Sequence, residues 1–423
     1  MENYPGFYRV RYDISDYKLV SIIIPTRNLG DILDRCLESI FEKTTYPNYE
    51  VIVIDNGSNE AATKAIFDKW EKLESHRFSC HELDIPFNFA KLNNFAVEKA
   101  SGDYLLFLNN DTEVITPDWI EAMVEYAQRE KIGAVGPLLL YPDNTIQHAG
   151  VVMGLRSVGD HSHRGFKSTD AGYHGQIISV NNYSAVTAAC LMCRREVFDK
   201  VGGFDEELAV AFNDVDFCLK ITHKGYRNVY LPQAVLYHHE SKSRGVEDTG
   251  EKQLRFQKEL QTMKQRWWNV IEDDPYYNRH LTREKDDFSF RVVTDVETNI
   301  TWYEKDSEIV GFSIDTPKDQ GVYKNASSIS IGGWVLGKKY PVTTVKLSCE
   351  GKLLRDVPAN LPRLDVGQAN PQFPYAQHCG FWGEMETIEF PPEAKILVEA
   401  VFKDGSHVRL GMVELKCPGL IDN

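Results

Sequence analysis

Residues 104–111 read Tyr-Leu-Leu-Phe-Leu-Asn-Asn-Asp, five apolar residues that pass at once into three polar ones. A short continuous apolar run predicts a strand that is buried on both faces of a sheet. Two similar runs precede it, at residues 20–25 and 49–55, and apolar residues at helical spacing follow them over 32–41 and 61–73. Strands that alternate with helices predict the α/β class, a mostly parallel sheet with helices on both faces.

Each of these predicted strands ends in polar residues. They are Thr-Arg-Asn at 26–28, Asp55-Asn56, and Asn-Asn-Asp at 109–111. Ligands of α/β sheets bind at the carboxyl ends of the strands. A carboxylate at this edge suits Mg²⁺ or Mn²⁺, which take oxygen ligands and bridge protein carboxylates to phosphate. The alternative is that these residues only end the strands, because Asn and Asp also favour turns.

Two later stretches also contain candidate chemical groups. Asp214 and Asp216 lie between aromatic residues, where a carboxylate could act as a general base or cap the N-terminus of a helix, or do both. His238 follows a strand-like run and could bind a metal, while Arg244 in the polar stretch after it could bind phosphate oxygens. A hydrogen-bonded structural role is the alternative for this histidine.

Length and patterning predict two domains. Single cores stop growing near ~250–300 residues, and this chain has 423. Residues 1–293 form the predicted α/β domain, which includes a long helix over 246–270. Residues 294–423 are predicted to be a small all-β sandwich, since short alternating strands recur there. The predicted strands are 329–331, 344–347, 396–401 and 407–410, and the predicted turns are Gly332-Gly333, Glu350-Gly351 and Asp404-Gly405.

Charge and hydropathy argue against nucleic-acid binding, a membrane span and a signal peptide. The net charge of -15 argues against nonspecific binding to nucleic acid. No stretch approaches the ~20 apolar residues of a membrane span. Residues 1–16 lack the apolar core of a signal peptide, so we expect a cytoplasmic protein.

The motifs, in this order, resemble those of the family 2 inverting glycosyltransferases, which have the GT-A fold. The resemblance extends from about residue 19 to residue 291. Residues 20–28 resemble the opening strand and nucleotide loop, and 51–58 resemble the second strand, whose Asp contacts the nucleoside. Residues 107–111 are similar to the metal-binding triplet called DXD.

The later motifs resemble the branch of this family that builds bacterial surface polysaccharides, including rhamnosyltransferases and O-antigen enzymes. This similarity is carried by residues 141–150, 185–191, 202–206, 212–216 and 238–245. It implies a nucleoside-diphosphate sugar as donor and a saccharide or lipid-linked saccharide as acceptor. A peripheral position on the inner face of the membrane fits such an acceptor.

The resemblance also implies a role for each matching residue. Asp214 would be the catalytic base, with Asp216 as the alternative. Asp111 and His238 would bind Mg²⁺ or Mn²⁺. The residues expected to bind the donor are Pro25, Thr26, Arg27, Asn28, Asp55, Asn56, Asn94, Asn109, Asn110 and Arg244.

Two positions depart from the family pattern. Asn109 replaces the first carboxylate of the metal triplet, and Asn213 stands where many relatives have Glu. These changes support an alternative function, a non-catalytic protein that binds nucleotide sugars on the same fold. The presence of Asp111, Asp214 and His238 favours the enzyme.

Two regions remain without a firm role. Gln147, His148 and residues 159–165 could shape the acceptor side, and we interpret His161 and His163 as polar loop residues rather than a metal pair. The β domain could hold a growing glycan, contact a partner enzyme or form a homo-oligomer.

Overall fold

The computed structural model describes residues 4–239, 250–291 and 293–417. The chain forms two compact units, Met1–Ser289 and Phe290–Asn423, whereas the boundary expected from the sequence follows residue 293. None of the described helices combines the length and the apolar character needed to cross a membrane.

The N-terminal unit alternates strands with helices. Its strands are β1 (Val20–Thr26), β2 (Tyr49–Asp55), β3 (Phe78–Glu82), β4 (Tyr104–Leu108), β5 (Thr112–Val114), β6 (Ile132–Leu140), β7 (Ile146–His148), β8 (Val151–Met153), β9 (Gly159–His161), β10 (Asn181–Tyr183), β11 (Cys190–Arg194) and β12 (Arg227–His238). Its helices are α1 (Gly30–Lys43), α2 (Ala61–Leu73), α3 (Phe89–Lys99), α4 (Trp119–Ala127), α5 (Arg195–Val201), α6 (Asn213–His223) and α7 (Gly250–Glu272).

One large mixed sheet organises this unit. Its strand order is β10-β12-β6-β11-β4-β1-β2-β3, with β5 added beside β12 and β7 beside β6. β1 is parallel to both β2 and β4, so the carboxyl ends of these three strands meet at one edge. β11 runs antiparallel between β4 and β6. The predicted α/β class is confirmed.

Both faces of the sheet are buried. Ile22 and Ile24 of β1 lie in a core shared with α1, α2 and α4. Ile23, between them in sequence, belongs to a second core that includes residues of α3, α5, α6 and α7. Because successive side chains of a strand point to opposite faces, a strand buried on both faces must be apolar throughout. This explains why the apolar runs at 20–25, 49–55 and 104–108 predict strands correctly.

The predicted helix over 246–270 appears as α7, which covers Gly250–Glu272. Residues 246–249 of the prediction lie outside the described residues. α7 packs through Met263 and Ile271 onto the second core. α7 lies beside α6, and Trp267 of α7 contacts Asp216 of α6.

The second unit consists mainly of antiparallel strands. They are β13 (Thr294–Trp302), β14 (Ile309–Thr316), β15 (Val322–Ala326), β16 (Ser328–Gly337), β17 (Val342–Cys349), β18 (Lys352–Pro358), β19 (Gly380–Glu386), β20 (Glu393–Phe402) and β21 (His407–Lys416), with one short helix, α8 (Leu364–Ala369). A six-stranded sheet, β15-β13-β21-β20-β17-β18, and a three-stranded sheet, β14-β16-β19, share one apolar core. This is a β-sandwich, as predicted.

One predicted turn of this unit is wrong. Gly332 and Gly333 lie inside β16, paired with β14 and β19, rather than between strands. A Cβ on Gly333 would lie 1.9 Å from the backbone oxygen of Ser313, so the glycine permits close strand approach. The turns at Glu350-Gly351 and Asp404-Gly405 join β17 to β18 and β20 to β21, as predicted.

Candidate active site

Polar groups from three parallel strands meet at one edge of the sheet. Thr26 at the end of β1 is in register with Asp55 at the end of β2. Asn110, just beyond β4, donates from Nδ2 to Oγ1 of Thr26 over 2.9 Å. All three side chains are buried. The sequence correctly placed these residues together, because the ends of parallel strands share an edge.

The loop after β1 is fastened to the loop after β2. Asn28 has a left-handed backbone with φ 55°, its amide donates to Oγ of Ser58 over 2.7 Å, and its side-chain oxygen accepts from the amide of Asn59 over 2.9 Å. Asp55 accepts from the amide of Ser58 over 2.9 Å. Pro25 is partly buried and Arg27 is exposed at this edge.

The side-chain amides of two residues that were expected to bind the donor form hydrogen bonds with backbone groups of the protein. Asn56 donates from Nδ2 to the backbone oxygens of Leu83 and Ile85 over 2.9 and 2.8 Å. Asn94 donates to the backbone oxygen of Phe204 over 3.0 Å and accepts from its amide over 3.0 Å. These contacts show that both side chains brace neighbouring segments. Arg244 lies outside the described residues.

Asp111 and His238 meet beyond the ends of β4 and β12. The Oδ1 atom of Asp111 lies 3.1 Å from Nε2 of His238, and Nδ2 of Asn109 is also 3.1 Å from that nitrogen. The pairing of β5 with β12 causes this meeting, because it sets Thr112 opposite His238. Both Asp111 and His238 are buried, at 4% and 7% exposure.

The pKa of Asp111 reflects this environment. Burial raises the pKa, but hydrogen bonds and nearby positive charge, those of His238 foremost, together outweigh burial. The net pKa therefore lies below the ordinary value of an aspartate. Asp111 is thus an anionic carboxylate at the edge of the sheet.

The pair fits a divalent cation. Two ligand atoms bound at right angles to a cation at ~2.1 Å lie ~3.0 Å apart, close to the observed separation of Oδ1 and Nε2. Carboxylate oxygen and imidazole nitrogen are both ligands of Mn²⁺-type ions. Across the described part of the chain, no group of three or more His, Cys, Asp or Glu side chains is placed to hold a metal. Among the described residues, Asp111 and His238 are therefore the two candidate ligands of this kind.

Asp214 lies in the first turn of α6, close to this edge. Its Oδ2 accepts from the amide of Ala188 over 3.0 Å, and its Oδ1 accepts from the amide of Val215 over 2.9 Å. The next residue of that segment, Ala189, accepts from the amide of Asn109 over 3.0 Å. Residues 188 and 189 thus connect Asp214 to the Asn-Asn-Asp triplet at 109–111. Asp214 is partly exposed.

Asp216 has a different environment, although it is only two residues away. Its side chain is fully buried. Its Oδ1 accepts from the indole N–H of Trp267 over 2.8 Å and lies 3.4 Å from Arg266, while Oδ2 is 3.7 Å from Lys220. Asp216 therefore fastens α6 to α7 and is not available to a substrate.

His161 and His163, which the sequence predicts to be polar loop residues, have other environments: His161 ends β9 and is partly buried, and His163 lies in the interior. His148 and His163 are fully buried. The Nδ1 atoms of His148 and His161 are 2.7 Å apart, and the ring of His163 stacks on that of Phe288 with centroids 4.3 Å apart. The β7–β9 region thus folds His148 and His163 into the interior, and a role of this region on the acceptor side stays a prediction.

Sequence reasoning missed the role of Gln147. Its Oε1 lies 2.6 Å from Nδ1 of His238, so this side chain touches the candidate metal ligand. The only signal was its place in a motif beside His148. The contact depends on the hairpin of β6 and β7, which no local pattern specifies.

Comparison with known proteins identifies the N-terminal unit. Residues 21–202 match the family model described as Glycosyl transferase family 2. An uncharacterized protein y4gI of Sinorhizobium fredii is 49% identical over 285 residues, which are 67% of this chain and 31% of that protein. The O-antigen biosynthesis protein RfbC of Myxococcus xanthus is 39% identical over 291 residues, 68% of this chain and 22% of that protein.

The chain thus spans less than a third of the length of either relative. Among solved structures, a mannosyltransferase of Pyrobaculum calidifontis in complex with GDP-Man and Mn²⁺ is 20% identical, covers 64% of this chain and 69% of that one, and has a TM-score of 0.45. Residues 21–202 of this chain are thus similar to the glycosyl transferase family 2.

Proposed function

We propose that the N-terminal unit transfers a sugar from a nucleoside diphosphate to a hydroxyl group of a saccharide or lipid-linked saccharide, with inversion at the anomeric carbon. One observation carries the proposal. A partly exposed carboxylate, Asp214, is joined through residues 188 and 189 to the edge that holds Asp111 and His238. These contacts support a single site with a base for the acceptor and ligands for a diphosphate-bound cation.

The donor side uses the strand ends. Asp111 and His238 would hold Mg²⁺ or Mn²⁺. Oxygen atoms of the diphosphate would complete the coordination of the ion, because substrate phosphates usually supply ligands to such ions. The bound cation would neutralise charge that builds on the leaving diphosphate. Thr26, Asp55 and Asn110 line the edge where the nucleoside would lie, and the exposed Arg27 is available to phosphate oxygens.

The acceptor side uses Asp214. The two backbone N–H groups that it accepts fix the orientation of the carboxylate. Each carboxylate oxygen has two lone pairs, so these bonds leave capacity to accept a proton from the acceptor hydroxyl. The deprotonated oxygen would attack the anomeric carbon opposite the leaving diphosphate, which inverts the configuration. Base catalysis of this kind typically contributes ~10²–10⁴-fold to the rate.

The biological setting is also a proposal. One relative is named for O-antigen biosynthesis, which supports a role in building a bacterial surface polysaccharide. Such acceptors are often lipid-linked, so we include peripheral contact with the membrane.

The test is a panel of UDP-, dTDP- and GDP-sugars incubated with the full chain and Mn²⁺. We expect release of one nucleoside diphosphate, with transfer to a supplied saccharide and inversion of the anomeric carbon by NMR. EDTA should stop the reaction, and added Mg²⁺ or Mn²⁺ should restore it. Binding of a nucleotide sugar without any turnover would favour the non-catalytic alternative, which the substitution at Asn109 supports. Retention of configuration would contradict the mechanism.

A further inference from the structure

The contacts of Gln147 fix the orientation of its amide group. Nε2 of Gln147 is 3.3 Å from the backbone oxygen of His238, and Oε1 is 2.6 Å from Nδ1 of the same residue. A backbone oxygen only accepts hydrogen bonds, so the NH₂ end of the amide must face it. The oxygen of the amide therefore faces the imidazole, and it requires a proton on Nδ1.

This proton placement determines what the other ring nitrogen can do. In a neutral imidazole protonated on Nδ1, Nε2 carries the lone pair. Nε2 is the atom that lies 3.1 Å from Oδ1 of Asp111. Without a cation, a proton on Nε2 can be donated to Asp111; when a cation replaces that proton, the retained proton on Nδ1 leaves the lone pair of Nε2 beside the carboxylate, which is the arrangement that a shared cation needs.

The fold delivers Gln147 to this place. β7 pairs antiparallel with β6, and β12 pairs parallel with the other edge of β6, where Tyr237 is in register with Leu140. Gln147 and His238 thus stand on two strands that flank the end of β6. Gln147 is 4% exposed and His148 beside it is fully buried, so the strand has little freedom to move.

From this geometry we infer that Gln147 is a positioning residue for the metal site: it holds His238 in the form that is protonated on Nδ1, so that Nε2 is directed at the cation. The inference rests on the proposed function for the identity of the bound ion. Partners of this kind, which orient a metal-binding histidine, typically change metal affinity by ~10–100-fold when they are removed.

Two substitutions separate the positioning role from packing. Gln147→Leu keeps a similar volume but removes the acceptor, whereas Gln147→Glu keeps an acceptor for Nδ1–H. We expect Gln147→Leu to weaken Mn²⁺ binding to the full chain by ~10–100-fold, measured by EPR with a nucleoside diphosphate that stabilises the wild type. Gln147→Glu, which lacks the NH₂ donor that faces the backbone oxygen of His238, should lose some affinity but less than Gln147→Leu. Equal Mn²⁺ affinity in the wild type and the Leu variant would overturn the inference.

The form of the imidazole can be read directly, without turnover. In protein labelled with ¹⁵N-histidine and measured in Mg²⁺, His238 should be protonated on Nδ1 in the wild type and in Gln147→Glu. In Gln147→Leu the proton should shift towards Nε2. An unchanged protonation pattern in the Leu variant would contradict the positioning role.

The two proposals fail in different ways. If the wild type binds no divalent ion, the metal part of the proposed function is wrong, and the ¹⁵N spectra of the metal-free proteins alone decide whether Gln147 controls the ring. If the wild type binds Mn²⁺ and transfers sugar but Gln147→Leu behaves identically, only the inference about Gln147 is wrong.

Discussion

At the scale of single residues, the two aspartates of α6 show how neighbouring carboxylates acquire different functions. Successive residues of a helix are rotated by about 100°, so Asp214 and Asp216 point in widely different directions. Asp214 points to the segment at residue 188 and is partly exposed. Asp216 points to α7 and is buried between Trp267 and Arg266. Burial, rather than residue type, separates a candidate base from a structural carboxylate.

Asp216→Ala should therefore destabilise the protein. It would remove the acceptor of the Trp267 indole and leave the charges of Arg266 and Lys220 less well paired. Loss of one partner of a buried ion pair costs about 3–5 kcal/mol, and we expect the lower part of this range because Arg266 also pairs with Asp205. Urea unfolding measures the change. Wild-type stability combined with complete loss of transfer would make Asp216 the base instead.

The sequence could predict Asp111, His238 and Asp214 as a set, because each occupies a recognisable place in an ordered series of motifs. It left Asp216 open as the alternative to Asp214, since that distinction depends on which face of α6 packs against α7. It could not foresee that the amide of Asn94 braces Phe204, because that contact joins α3 to a segment more than a hundred residues away. Side-chain partners set by tertiary pairing have no local signature.

At the scale of elements, α7 determines the position of the N-terminus of α6. Glu259 of α7 is 2% exposed, and its two carboxylate oxygens accept from the amides of Val210 and Ala211 over 2.9 and 3.1 Å. These residues lead directly into α6, where Phe212 has a left-handed backbone before the helix begins. α7 thus supports the turn that places Asp214.

Glu259→Ala should loosen this turn. Two partly buried N–H groups would lose a charged acceptor, and hydrogen bonds to charged groups contribute ~1.5–3 kcal/mol each. We expect the free energy of unfolding to fall by ~2–4 kcal/mol and kcat to fall more than the affinity for the donor. Glu259→Gln, which keeps one acceptor oxygen, is the matched control and should lose less. If both variants kept the wild-type kcat, α7 would not be needed to position Asp214.

The sequence was most informative for elements that are buried on both faces. β2, β4 and α2 match the predicted bounds at 49–55, 104–108 and 61–73. The short strands β5 and β7 were not predicted, because three residues carry too little pattern to read. The Gly332-Gly333 pair wrongly predicts a turn, because glycine more often marks turns than close contacts between strands.

At the scale of the whole molecule, the two units have separate apolar cores. The second unit buries residues of both its sheets, including Val335, Leu347, Phe381 and Val398, in a core of its own. A unit with its own core and paired strands is expected to fold by itself. The N-terminal unit contains every described residue that we assign to catalysis.

Fragments that correspond to the two units should therefore each fold. We expect residues 290–423 to unfold cooperatively in urea and residues 1–289 to retain sugar transfer with an unchanged kcat. Circular dichroism and the donor panel provide the measurements. A raised KM for the acceptor in fragment 1–289 would assign glycan binding to the β-sandwich, and failure of fragment 290–423 to fold would contradict its independence.

In the proposed mechanism Asp214 would take the proton from the acceptor, and Asp111 and His238 would hold the cation on the diphosphate. The most direct test compares Asp214→Asn with the wild type in two measurements, turnover of the active nucleotide sugar and binding of that sugar in Mn²⁺. We predict that the rate falls by at least ~10²-fold, while the affinity for the nucleotide sugar stays close to that of the wild type. Near-normal turnover by a correctly folded Asp214→Asn would contradict the central claim.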